Sequence, residues 1–257
     1  MSVMFDDIVF GPIASRRFGV SLGINLLPLQ NKVCNFNCIY CECGWTDLKS
    51  FKINFSDSRK IINAVEERFK KLAQDKIHID TITFAGNGEP TMHPEFPEII
   101  EAVIKLRDLY LPKIKIAVLS NSTLLGKPSV FESLKKVDLK VMKLDAGTTE
   151  TLIKIDKPLS SKTIEWYIQK LKKFNGELII QTIFLKGYCD GEYVDNTTSD
   201  ELASWIKAVK EINPKSVMIY TIDRETPAEK LEKITTEKLN SIRDMVLANG
   251  IIANVYT

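Results

Sequence analysis

No stretch of the 257-residue sequence approaches the roughly 18 uninterrupted apolar residues that a membrane-spanning helix requires. Charge of one sign is missing too. Thirty-five basic residues stand against 33 acidic ones, and a formal charge of +2 gives no global electrostatic reason to expect nucleic acid or membrane as partner. The two histidines, His78 and His93, fall at a predicted strand edge and a predicted helix start, which explains them without a catalytic role. No low-complexity linker and no repeat interrupts the chain, so a single domain over 1–257 is expected, with 44% apolar residues to fill its core. Residues 1–17, "MSVMFDDIVFGPIASRR", carry acidic residues early and too short an apolar run for a secretory signal, so the expected compartment is the cytoplasm.

Cysteine is scarce as well, and its distribution is uneven. Four of the five cysteines crowd into "CNFNCIYCECG" (34–44), and Cys189 stands alone. A compartment that keeps thiols reduced makes such a cluster a set of metal ligands or catalytic groups rather than disulfides.

Apolar runs and amphipathic segments alternate along the rest. The pattern predicts strands over 23–29, 78–84, 114–120, 139–145, 177–185 and 216–222, and a last apolar run over 251–256. Helices are predicted over 58–72, 94–109, 129–136, 161–174, 199–212 and 236–248. In the first of them Ile61, Ile62, Val65, Phe69 and Leu72 share a face. Strands that are apolar almost throughout, separated by helices, imply parallel βα units in an α/β protein. About six units suggest a closed or partly open (β/α) barrel, whose chemistry gathers at the C-terminal strand ends. The segments there, "CNFNCIYC", "GNGEP", "SNST", "DAGTT", "KGYCDGEY" and "DRETP", are the most polar and the richest in Gly and Cys.

Cys34, Cys38 and Cys41 have spacing that lets one compact loop aim three sulfurs at a common point. Three thiolates suit zinc or an iron–sulfur cluster. A structural zinc would need a fourth ligand, for which Cys43 stands close by, so a zinc-binding module is the non-enzymatic alternative.

"CNFNCIYC" resembles the signature of the radical S-adenosylmethionine (SAM) superfamily, three cysteines with an aromatic residue before the last. The resemblance implies a partial (β/α)6 TIM-like barrel in which Cys34, Cys38 and Cys41 hold three irons of a [4Fe-4S] cluster. The fourth iron would take the amino and carboxylate groups of SAM, and the 5′-deoxyadenosyl radical formed on cleavage would remove a hydrogen atom from substrate. It also implies that Tyr40 packs near the adenine and that an electron donor such as flavodoxin or ferredoxin is a partner. "AGNGEPT" is similar to the family's Gly-Gly-Glu-Pro segment, so Gly86, Asn87, Gly88, Glu89 and Pro90 are expected at the methionine end of SAM; otherwise they form a plain strand-to-helix turn. Ser120 and Asn121 in "VLSNST" either serve the ribose and the SAM carboxylate or cap a turn. Lys143 and Asp145, two apart on a predicted core strand, share one face, either as an interior salt bridge or as a wall of the cofactor site.

"GPIASRRFGVSLGINLLP" and "KLDAG...KIDKPL" are similar to a branch that includes the tRNA wyosine-forming enzymes, although no cysteine here precedes Cys34, where those enzymes carry an additional set. That branch implies an RNA substrate, with Arg16 and Arg17 as phosphate contacts. Gln181, Arg224 and Cys189 are further candidates for the substrate side. The alternative within the superfamily is a protein substrate, as for an activase that places a glycyl radical on a partner.

Overall fold

The computed structural model describes residues 4–47 and 52–257; residues 1–3, where the reading of the N-terminus began, lie outside them. Among the described residues there are ten strands: β1 (Val9–Ser15), β2 (Gly19–Ile24), β3 (Thr81–Phe84), β4 (Lys115–Ser120), β5 (Leu139–Lys143), β6 (Ile179–Cys189), β7 (Glu192–Asp195), β8 (Ser216–Thr221), β9 (Lys230–Lys233) and β10 (Ala253–Tyr256). Seven α-helices accompany them: α1 (Ser58–Gln74), α2 (Phe96–Tyr110), α3 (Pro128–Lys136), α4 (Thr149–Asp156), α5 (Ile164–Lys172), α6 (Ser199–Ile212) and α7 (Thr236–Leu247). The main sheet runs β1-β2-β3-β4-β5-β6-β8-β10. From β2 to β8 the neighbours are parallel, which gives the six strands expected. β10 adds a parallel strand at one edge, and β1 is antiparallel at the other. The sheet therefore curls as a partial barrel and stays open between β1 and β10.

The two faces of the sheet differ in the way that period two demands. Leu22, Ile82, Phe84, Val118, Met142 and Ile180 point outward into one large apolar cluster, which the helices share. α1 joins it through Ile61, Val65, Phe69 and Leu72, all buried at helical spacing, behind an Asp57 side chain that caps the N-H of Arg59. The inward residues form a small separate cluster, Ala117, Val141, Ile179 and Met218, closed by Phe18 just before β2. One step further along the strands, the inner face turns polar with Lys143 and Gln181. The N-terminal end of the barrel is thus plugged, and its C-terminal end is free for chemistry.

Several elements depart from the sequence reading. The first strand ends at Ile24 rather than Leu29, and β1 before it was not expected. "KGYCDGEY" is no loop beyond a strand: β6 continues through it to Cys189 and turns into β7, with β9 on the other side. "TETLIKID", for which the sequence reading gives no element, is α4. Helix and strand boundaries elsewhere agree within a few residues.

Candidate active site

The segment after β2 carries the cysteines, and its apolar residues explain why it folds compactly. Phe36 and Ile39, between the cysteines, are buried at 2% and 0% exposure and act as anchors. Ile39 donates its N–H to Ile155 O at 2.9 Å and accepts at its own carbonyl from Ala228 N at 3.2 Å; Asn37 N bonds Asp156 O at 2.9 Å. The loop is therefore clamped against the C-terminal end of α4. With Phe36 and Ile39 turned inward, Cys34, Cys38 and Cys41 all line one cavity of about 160 Å³.

The glycine-rich segment after β3 forms the adjacent wall. Val33 N donates to Asn87 O at 2.8 Å, and Glu89 N donates to Val33 O at 3.0 Å, so the two loops run side by side like strands. This requires glycine at 88: its φ is +136°, and a Cβ there would lie 1.9 Å from Val33 O. Gly88→Ala is expected to lower stability by about 2–4 kcal/mol, seen as a fall in the thermal midpoint together with faster proteolysis of the cysteine loop. An unchanged midpoint would contradict the close approach.

Glu89 is 2% exposed and heavily bonded. Its Oε1 accepts from the hydroxyls of Ser120 (2.8 Å) and Thr91 (2.5 Å), and its Oε2 from Asn121 N at 2.6 Å. Burial nonetheless raises its pKa against the pull of those donors. Asn121 also directs its side-chain amide toward Cys34 Sγ at 3.6 Å and to Asn35 at 2.8 Å. Gly86, Gly88, Glu89, Ser120 and Asn121 line the cysteine cavity. Asn87 does not: its fully buried amide bonds Phe5 O at 2.8 Å and Pro28 O at 3.0 Å and staples the N-terminal segment to the loop. Pro90 is also outside the lining and starts a single 3₁₀ turn, Pro90–Met92.

Opposite the glycines stands a charged network. Lys143 Nζ lies 2.7 Å from Asp145 and 3.5 Å from Asp156, and the two carboxylates are 0% and 1% exposed. Tyr40 donates its hydroxyl to Asp145 and accepts from Lys143, whose ammonium lies 4.6 Å from the tyrosine ring centre. Lys143 and Asp145 thus meet both descriptions given from sequence, an interior salt bridge that is also a cavity wall. Burial opposes the charge of Lys143, but Asp145 and Asp156 outweigh it and hold the ammonium well above its ordinary range. Burial pushes Asp156 up to about 7, against Lys143. The Cys38 thiol donates to Asp156 Oδ1 at 3.1 Å, so the network reaches the cysteines.

Asp156 and Lys32 are the two site residues that sequence reasoning did not single out. Asp156 lay within the quoted "KIDKPL" but had no assigned role. Lys32 is 5% exposed, bonds Gly44 O at 2.7 Å, and faces the same cavity. Burial works against its charge, yet the cysteine sulfurs in their thiolate form, Cys41 foremost and then Cys34 and Cys38, more than offset this and raise its pKa. A lysine two residues before the first cysteine was the available signal.

The donor set fits an iron–sulfur cluster. Burial pushes the Cys34 thiol up to about 12 and Cys38 well above its usual value, so without a cation these sulfurs keep their protons; bound irons reverse that balance. A zinc knuckle fits less well. Among the described residues, no three Cys, His, Asp or Glu side chains converge as one ion requires. Cys43 also borders the cavity, with its thiol toward Gly86 O at 3.5 Å and in hydrogen-bond contact with the Cys41 sulfur.

The cysteine cavity opens through Tyr40, Cys41, Cys43 and Gly86 into a mouth of about 330 Å³. Arg16, Arg17 and Arg224 line this mouth, and Gln181 lies on the inner side beneath it. Arg16 pairs with Asp223 at 3.5 Å and Arg224 with Glu42 at 2.8 Å. Cys189 is not brought to the mouth. It sits at the β6–β7 turn and borders a separate surface cleft with Trp45 and Tyr188, because β6 carries it past the barrel rim.

Comparison with known proteins places these features in a family. A model described as the Radical SAM superfamily matches residues 31–195. A UPF0026 protein of Helicobacter pylori is 33% identical over 235 residues, covering 90% of this chain and 71% of that protein. The S-adenosyl-L-methionine-dependent tRNA 4-demethylwyosine synthase of Oryza sativa subsp. japonica is 23% identical over 181 residues, 63% of this chain and 26% of that protein. The crystal structure of a radical SAM methyltransferase from Sphaerobacter thermophilus superposes with a TM-score of 0.67 at 14% identity, covering 91% of this chain and 65% of that one, a likeness of fold. No helix among the described residues is long and apolar enough to cross a membrane.

Proposed function

The chain belongs to the radical SAM superfamily, and on that premise we propose that Cys34, Cys38 and Cys41 hold a [4Fe-4S] cluster used to cleave SAM for hydrogen abstraction from an RNA substrate. Membership makes the protein an enzyme and implies an iron–sulfur cluster, SAM and a reductant. When bound, the cluster would supply the electron that breaks the sulfonium bond to the 5′ carbon, giving a 5′-deoxyadenosyl radical.

The observation that carries the reading is the shared lining of one cavity. Three thiols on one loop face a glycine-rich wall, a buried carboxylate and a lysine held as a cation. On this reading Gly86, Gly88 and Glu89 flank the methionine end of SAM, and Asn87 and Pro90 support them from behind. Tyr40, fixed by Lys143 and Asp145, borders both the cavity and its mouth and orients the adenine side. Ser120 and Asn121 hold the Glu89 carboxylate in place. On this reading the described residues form a single radical SAM domain. RNA is favoured as substrate by the resemblance to the wyosine synthase and by the three arginines at the mouth.

Anaerobic reconstitution is expected to give a brown protein with about four irons per chain that forms 5′-deoxyadenosine on reduction. Addition of a tRNA pool should accelerate that formation. Zinc without iron would overturn the cluster assignment, and acceleration by a protein fraction but not by RNA would favour the protein-directed alternative.

A further inference from the structure

Among the described residues, the mouth above the cysteine cavity holds one guanidinium with no carboxylate partner. Arg17, half-buried between β1 and β2, donates from Nη1 to Gln181 Oε1 at 2.6 Å, the only hydrogen bond its guanidinium makes among the described residues. Its plane is fixed by stacking: the central carbon lies 4.9 Å from the Tyr220 ring centre and 5.5 Å from that of Phe18. The other two arginines of the mouth are exposed and already paired with Asp223 and Glu42. This half-buried cation is stacked on two rings and bonded to a neutral amide, and it has no anionic partner among the described residues. Four of its five N–H donors remain for a ligand, in the fork geometry that matches an anion with two oxygens.

Aromatic rings surround it. Phe5, Tyr40, Tyr220 and Tyr256 contribute to the walls of the same mouth, whose volume of about 330 Å³ is of the size that takes a small ligand. Ring faces beside a fixed guanidinium suit a planar base carrying a phosphate. From this geometry we infer that Arg17, oriented by Gln181 and Tyr220, anchors the phosphate of a nucleotide whose base lies among these rings. The inference rests on the reading of this mouth as the substrate entrance and adds the chemical class that enters. Gln181 also lines the cysteine cavity, so an anion held by Arg17 would sit beside the reacting centre.

The test compares uridine 5′-monophosphate with uridine, which avoids the adenine of SAM. Calorimetry on the full chain, reconstituted with iron and sulfide and saturated with SAM, should show the monophosphate binding at least about tenfold more tightly. Arg17→Gln should erase that difference. Arg17→Lys should keep part of it, because the charge remains while the fork is lost. A short oligouridylate bound more tightly than the monophosphate, with the same dependence on Arg17, would identify the phosphate as that of an RNA strand; equal affinity would identify a free nucleotide.

Equal binding of uridine and its monophosphate would overturn the inference, as would a preference that survives in both variants. Loss of SAM affinity in Arg17→Gln with the monophosphate unaffected would also overturn it, by assigning the residue to the cofactor. The measurement is repeated on protein without iron. Phosphate preference that persists where 5′-deoxyadenosine never forms would leave the subsite standing and sink the proposed function, and the reverse pattern would do the opposite.

Discussion

Cys38→Ala is expected to leave a folded chain that retains little iron and whose SAM cleavage falls by roughly a thousandfold or more. Cys38 is only 6% exposed, but its environment is shared between the apolar anchors Phe36 and Ile39 and the carboxylate of Asp156. Removing one sulfur opens a small hole there, with a stability cost of about 1 kcal/mol, which the loop's backbone bonds to α4 can absorb. What cannot be replaced is the third ligand. Lys32 and Lys143 have no acceptor to offer a metal, and Asp156 is a hard oxygen donor where iron–sulfur chemistry asks for thiolate. Iron analysis, visible absorbance and 5′-deoxyadenosine formation give the readout. Cys43→Ala supplies the contrast, with cluster and cleavage retained, since Cys43 borders the cavity but lies outside the three-cysteine signature. Full cleavage by Cys38→Ala would overturn the ligand assignment, and loss of iron in Cys43→Ala would restore the four-cysteine alternative.

The parts of this site that could be read from sequence are those fixed by short-range pattern. The spacing of Cys34, Cys38 and Cys41 requires only one loop, and the alternation along β5 requires only a strand buried on both faces. Lys143 accordingly projects into the barrel as the period-two rule says. The residues that were missed act over long range. Asp156 reaches Cys38 across 118 positions, and nothing local in "LIKID" marks the aspartate as inward-facing. Its helix, α4, has eight residues with Thr at the start and isoleucine within, so its periodicity is too short to stand out. Asn87 shows the opposite failure. It lies inside a motif that predicts ligand contact, but its amide meets Phe5 and Pro28, whose proximity only the folded chain creates. Cys189 reads from sequence as a loop thiol that touches substrate only if it projects over the barrel mouth, a reading that has β6 stop at Leu185. β6 runs on instead because Lys186 to Cys189 find antiparallel partners on both sides, in β7 and β9.

Lys143→Met tests whether the charged network is a wall or merely a contact for SAM. The substitution keeps most of the side chain's volume and removes its charge, which leaves Asp145 and Asp156 buried side by side with no cation between them. Breaking a buried ion network in this way costs about 3–5 kcal/mol, and a thermal midpoint lower by ten degrees or so is expected. Proton uptake by Asp156 relieves part of the repulsion, because burial already raises its pKa to about 7 and loss of Lys143 removes the influence that opposes it. Tyr40 loses the ammonium it accepts from and the ring face that Lys143 covers, so the loop between Cys38 and Cys41 loosens and cluster loading falls with stability. Adding Asp145→Asn and Asp156→Asn to Lys143→Met is expected to recover much of the midpoint by removing the unpaired charges, without restoring SAM cleavage. A Lys143→Met protein with an unchanged midpoint and full iron content, and only a higher KM for SAM, would show that the lysine serves the cofactor alone and that the cysteine loop does not depend on it.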